Sequence, residues 1–235
     1  MRPLRPAASR LALTLVALTA LSPAAVAVAD DFKIEPSKEA PPAALAAPVR
    51  ESLVAEGFRV LDGSGKVYAE IWLRKGVPAA EKPAGPKGPV LYPFLAEGEL
   101  LGAVRYPGQG SDNRDQVIPK GVYTLRYGLQ PLNGDHLGVS VFRDYALLLP
   151  AVKDTSTAKL AKKSQEERSS ESAGTSHPAI LMLVAPAADA KAPAMVHEME
   201  KDSWGAVVPL DLDVKGAPGK TSLSVQFVLI GVFGG

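Results

Sequence analysis

Three histidines, His136, His177 and His197, are the only imidazoles in a chain of 235 residues that contains no cysteine. Metal chemistry here must therefore use imidazole, thioether or carboxylate ligands, and thiol catalysis is excluded. The histidines are separated by 41 and 20 residues, which matches no local ligand motif. A shared three-histidine site would need the fold to gather them; the alternative is three unlinked side chains. The segment MVHEME, Met195 to Glu200, is more pointed. On a strand Met195, His197 and Met199 share one face, because i, i+2 and i+4 align. Two thioethers and an imidazole are soft ligands that suit Cu(I), with His177 or His136 to complete the shell. The competing explanation is that both methionines fill a core seam while the histidine reaches solvent.

A second constellation sits in NGDHLG, where Asp135 stands beside His136. Asn133-Gly134 accepts positive φ at little cost, so the stretch reads first as a turn. Asp135 would then bond nearby backbone N–H groups. The ligand-binding reading joins Asp135 and His136 to Arg126 and Arg143, whose guanidinium groups could grip an anion bidentately. Charges at strand entries also serve as caps and gatekeepers, which is the structural alternative for both arginines. Hydrolase chemistry has little support. GVSVF, Gly138 to Phe142, fails the G-x-S-x-G elbow at its last position. PGQGSDNRD has neither the lysine nor the following helix of a phosphate loop.

The elements that must position these residues are strands. Phe58–Leu61 and Lys66–Leu73 flank Asp62-Gly63-Ser64-Gly65 and predict a hairpin. Alternation puts Val67, Ala69, Ile71 and Leu73 on one face, with Tyr68, Glu70 and Trp72 on the other. Further strands are expected at Glu99–Tyr106, Gly121–Leu129, Asp144–Leu149, Ala206–Val214 and Thr221–Phe233. AILMLVA, residues 179–185, is apolar throughout and should be buried on both faces. Asp211 and Asp213 alternate with Leu210, Leu212 and Val214, the pattern of a half-exposed strand. A short helix is expected near Val49–Glu56. Many short strands with proline- and glycine-rich connections predict an all-β fold, an antiparallel β-sandwich of Ig-like or jelly-roll-like type. Its loops Val77–Pro89, Gly108–Asp115 and Leu132–Arg143 would carry recognition.

The outer parts of the chain read differently. Arg2, Arg5 and Arg10 precede the apolar run from Leu11 to Leu21, and Ala27-Val28-Ala29 offers a cleavage site. Residues 1–29 thus read as a secretory signal peptide, too short in its apolar run to span a bilayer core of roughly 30 Å. A periplasmic or secreted location follows, with no transmembrane segment after cleavage. Removing that segment takes away three arginines and no acids, so the net charge of +1 becomes −2. Such a chain carries no electrostatic footprint for nucleic acid. Residues 30–49, rich in proline and alanine, read as a tether that cannot pack. Residues 50–235 make one domain, interrupted by a polar insert at 153–176 that could be helical in its centre. Leu160 is its one large apolar residue, so the insert is expected to be mobile.

Two resemblances accompany this reading. The "H-E-x" and "H-x-M" character of MVHEME, with the last strand SLSVQFVLIGV, resembles PCuAC-type periplasmic copper chaperones over a few residues, which implies copper as a cofactor. Pro119, Gly121, Tyr123 and Leu125 spell P-x-G-x-Y-x-L within Ile118–Ala151. That run resembles an uncharacterised exported bacterial β-sandwich family of unknown function, which implies a periplasmic β-sandwich and no activity. The sequence is therefore read as an exported, non-enzymatic binding protein without a cofactor, for a small ligand or an envelope protein. The alternative is a copper-binding protein using the Met/His face, and a hydrolase ranks last.

Overall fold

The computed structural model of the protein describes residues 31–112, 116–132 and 140–231. The elements are β1 (Lys33–Ser37), α1 (Ala47–Ser52), β2 (Gly57–Leu61), β3 (Val67–Leu73), β4 (Val77–Ala79) and β5 (Leu100–Tyr106). There follow β6 (Gly110–Ser111), β7 (Val117–Ile118), β8 (Gly121–Leu129), β9 (Asp144–Pro150) and α2 (Lys162–Ala173). The chain closes with β10 (Ile180–Val184), β11 (Ala194–Glu198), β12 (Ser203–Val214) and β13 (Thr221–Ile230). The fold is all-β, as the alternating patterns predict.

The pairing differs from two stacked antiparallel layers. One 11-stranded sheet runs β1-β2-β3-β5-β8-β9-β10-β13-β12-β11, with β4 lying parallel to β12 off that path. The sheet turns at β10, where Ile180–Met182 pair with β9 and Leu183–Val184 pair with β13. Handing one short strand between two neighbours lets the halves curl toward each other as a half-barrel. Both halves then bury their inner side chains in one cluster that holds Val60, Ile71, Val104, Leu125, Leu148, Leu181, Val208 and Phe227. β10 is apolar on both sides for this reason: Leu181 and Leu183 face that core, while Ile180 and Met182 join an outer cluster.

Alternation predicts the inner face of β3 from Ala69 to Leu73 and fails at Val67 and Tyr68. Ala69, Ile71 and Leu73 point inward, and Trp72 packs outside with Leu45, Val49 and Leu53. Tyr68 does not follow Trp72. Register passes from Val60↔Ala69 to Leu61↔Val67, leaving Tyr68 in a bulge, and its ring meets Tyr106 of the inner core. A bulge re-aims a side chain in this way.

One expectation about the flanking segments is corrected. The expected tether does pack over its described residues, 31–49: β1 pairs with β2 over five residues, and Leu45 and Val49 are buried. Proline-rich chain can cover a sheet without hydrogen bonds of its own. Here it lies over Trp72, whose indole N–H donates to the Glu39 carbonyl at 2.8 Å. Within the insert at 153–176, α2 lies along β9, and Gln165, Ser169 and Ser172 are its buried residues. Hydroxyls replace the missing apolar stripe, with Ser169 donating to the Ala179 carbonyl at 2.8 Å and Ser172 to the Leu148 carbonyl at 2.7 Å.

β12 is lined on its outer edge by β11 at residues 203–207 and by β4 at 212–214. Exposed Pro209 stands between those two stretches.

Candidate functional site

The strand directions divide the half-barrel into two ends. β8 and β12 finish at one end, where the connections after β4, before β5 and between β8 and β9 also lie. Of the expected recognition loops, Val77–Pro89 begins at β4 at this end, whereas 133–139 of Leu132–Arg143 and 113–115 of Gly108–Asp115 lie outside the described residues.

The first end contains an open cleft of about 310 Å³. Pro78, Pro93 and Phe94 give it apolar walls, and Glu99, Asp213 and Lys215 stand at its rim. Backbone bonds hold the walls in place: Ala80 N–H donates to the Phe94 carbonyl at 3.0 Å, and Lys215 N–H to the Ala79 carbonyl at 3.0 Å. Asp213 and Lys215 reach the rim because alternation on β12 turns Leu212 and Val214 inward. Glu99 is held by Arg74 at 3.4 Å. The hollow is wide open to solvent and mainly apolar, with three charged side chains in its lining.

The second end is aromatic. Phe32 meets Tyr68 at 5.5 Å and Trp204 at 5.6 Å between ring centroids, and Tyr68 meets Tyr106 at 5.7 Å, all edge-on. The short β6–β7 hairpin covers it. Gly110 lies flat on the Tyr106 ring, where any side chain would collide with it, and Ile118 is fully buried. The Tyr106 hydroxyl is buried and has no hydrogen-bond partner. Burial, with Tyr68 and Asp112 nearby, pushes it well above the ordinary phenol range.

The side chains singled out by sequence fall into different places. Asp135 and His136 lie outside the described residues. Arg126 is fully buried and all five of its N–H groups are engaged. Nε and Nη2 donate to the two Asp154 oxygens at 2.7 and 2.8 Å, Nη1 to the Gly98 and Ala158 carbonyls, and Nη2 also to the Ser156 carbonyl. It clamps the start of the insert and has no donor left for an anion. Arg143 donates to the Gln130 carbonyl at 2.6 Å, closing the loop between β8 and β9.

Met195 and His197 lie on β11, and Met199 lies beyond its end. β11 pairs His197 with Trp204, and the two rings stack at 4.2 Å with 5° between planes. His197 Nε2 lies 3.1 Å from Asp202. Met195 packs against the inner core, whereas Met199 falls after the strand in a turn and is 82 % exposed. His177 is exposed on the connection between α2 and β10. Among the described residues, no three His, Cys, Asp or Glu side chains group as they would around a metal ion.

Sequence reasoning passed over the buried carboxylates. Asp144 accepts from Leu91 N–H at 2.7 Å, Tyr92 N–H at 3.0 Å and the Tyr127 hydroxyl at 2.6 Å. Asp112 accepts from Gln116 through both oxygens, and Glu70 is paired with Arg105. The cleft was also missed, since its walls come from separate short segments with no common pattern. No family model, curated protein or solved structure matches the chain.

Proposed function

We propose that the protein is an exported, non-enzymatic β-protein that binds a small, largely apolar ligand in the cleft between Phe94 and the end of β12. The observation that carries this reading is the cleft itself, concave and built on backbone hydrogen bonds between β4, β12 and the segment before β5. Each buried charge among the described residues (Glu70, Asp112, Arg126, Asp144 and Asp154) already holds the fold together. Those groups serve as anchors, which supports binding over bond-making. Export rests on the signal-like features of residues 1–29.

The test is a thermal-shift screen of small apolar acids and amines against the protein and an Ala80→Trp variant. Ala80 is exposed and lines the cleft, so an indole there fills the hollow without touching the core. Compounds that raise the melting temperature of the parent should leave the variant unmoved. Equal stabilisation of both proteins, or no stabilisation of either, overturns the assignment.

A further inference from the structure

Helix α2 is an unusual covering for an apolar surface. Its sequence, KKSQEERSSESA, has no large apolar residue, yet it lies along β9. The outward side chains of that strand, Tyr145, Leu147 and Leu149, are buried in a cluster with Ile180, Met182 and Val228. Dispersion and burial, which hold most helices to sheets, contribute little on the helix side of this contact. The helix is tied down through polar groups: the Ser169 and Ser172 hydroxyls, the Ser169 carbonyl accepting from Ala179 N–H at 3.5 Å, Lys162 Nζ to the Leu129 carbonyl, Arg168 to the Lys153 carbonyl, and the more exposed Lys162–Glu97 and Lys153–Glu171 ion pairs.

One residue opposes the docked state. Gln165 is fully buried, and neither its amide nitrogen nor its amide oxygen has a partner. Undocking would return both atoms to water, so the closed state carries a penalty that the open state does not. The segment before the helix is anchored far more firmly. Arg126 holds Asp154, Ser156 and Ala158 there, and Leu160 N–H donates to the Gly98 carbonyl at 3.2 Å. At the far end Gly174 stops the helix at φ 64°. A helix held largely by polar groups that water can replace, between a clamped lead-in and a glycine stop, can move as a unit.

We propose that α2 is a displaceable cover, which swings off β9 about its Arg126-clamped lead-in and lays open the apolar face of Tyr145, Leu147 and Leu149 while the sheet stays folded.

Because the chain has no cysteine, single thiols report this motion without background. Leu147→Cys places a thiol on the covered outer face and Leu148→Cys places one in the inner core. The outer thiol should react with a disulfide reagent at least tenfold faster, at a rate insensitive to mild urea. Adding Gln165→Leu should slow that reaction about tenfold and leave the inner thiol unchanged. Native-state hydrogen exchange of the unsubstituted protein supplies the second arm: α2 amides should exchange well before those of β8 and β9. Equal labelling of the two thiols with the same urea dependence, or α2 amides as protected as those of β8, overturns the proposal.

Discussion

Arg126 and Asp154 form a fully buried, bidentate ion pair between the outer face of β8 and the start of the insert. Thr124 adds a third donor to the same carboxylate at 2.6 Å. Such a pair is costly to break from one side, since the survivor keeps a buried and uncompensated charge. Asp154→Ala should therefore destabilise the protein by about 3–5 kcal/mol. An Arg126→Met, Asp154→Leu double variant should recover most of that loss. Urea unfolding of the three proteins checks both statements.

The tyrosine-rich end makes stability depend on alkaline pH. Tyr68, Tyr106 and Tyr123 all have hydroxyls raised by burial. In the unfolded chain they ionise near the ordinary value of about 10. Their folded values lie higher, so their contribution is fully present below about pH 10 and is lost as pH climbs toward the folded values. Stability should hold flat up to about pH 10 and then fall. Tyr106→Phe should shallow that fall without loss at neutral pH, because the hydroxyl it removes bonds to nothing. Denaturant midpoints measured from pH 7 to 11 provide the check.

The P-x-G-x-Y stretch acquires a physical meaning. The Tyr123 hydroxyl turns back and donates to the Pro119 carbonyl at 2.7 Å, over a glycine whose missing side chain leaves room for it. This arrangement resembles the tyrosine corners of other β-proteins, in which the hydroxyl pins the chain as it enters a strand. Tyr123→Phe should cost about 1 kcal/mol, and Gly121→Val should cost more by crowding the ring. Thermal unfolding distinguishes the two.

Trp72 and Trp204 are the only indoles, and they occupy opposite environments. Trp72 is fully buried, while Trp204 is half-buried with His197 stacked on its face. His197→Ala should shift the Trp204 emission to the red by opening that face to water. The Trp72 contribution should remain blue. An unchanged spectrum would mean that the two rings do not stack in solution.

Much of the strand framework is legible in the sequence, because period-two alternation reports one buried face. β3, β8, β12 and β13 each lie within a residue or a few of where the pattern places them. Tyr68 escapes that logic: a bulge alters the period at one residue, and nothing in the composition announces it. The polar helix escapes it too, because docking through Ser169 and Ser172 uses hydroxyls where periodicity looks for apolar side chains. The curl of the sheet depends on β10 changing partners midway, a tertiary event invisible along one strand. The buried carboxylates are hidden for a related reason. Asp154 reads as a residue of the polar insert and Asp144 as the entry to a strand, and only the fold reveals which donors surround them.

Pro209 bears on how this protein behaves in a crowd. An open sheet edge can template the addition of strands from neighbouring molecules, the first step toward fibres. Here β11 and β4 line most of the β12 edge, and the exposed proline in the gap has no N–H to offer an incoming strand. The gap spans four residues, 208–211, shorter than an ordinary strand. Self-association by edge addition is thus disfavoured along β12 by the chain's own short strands and one proline.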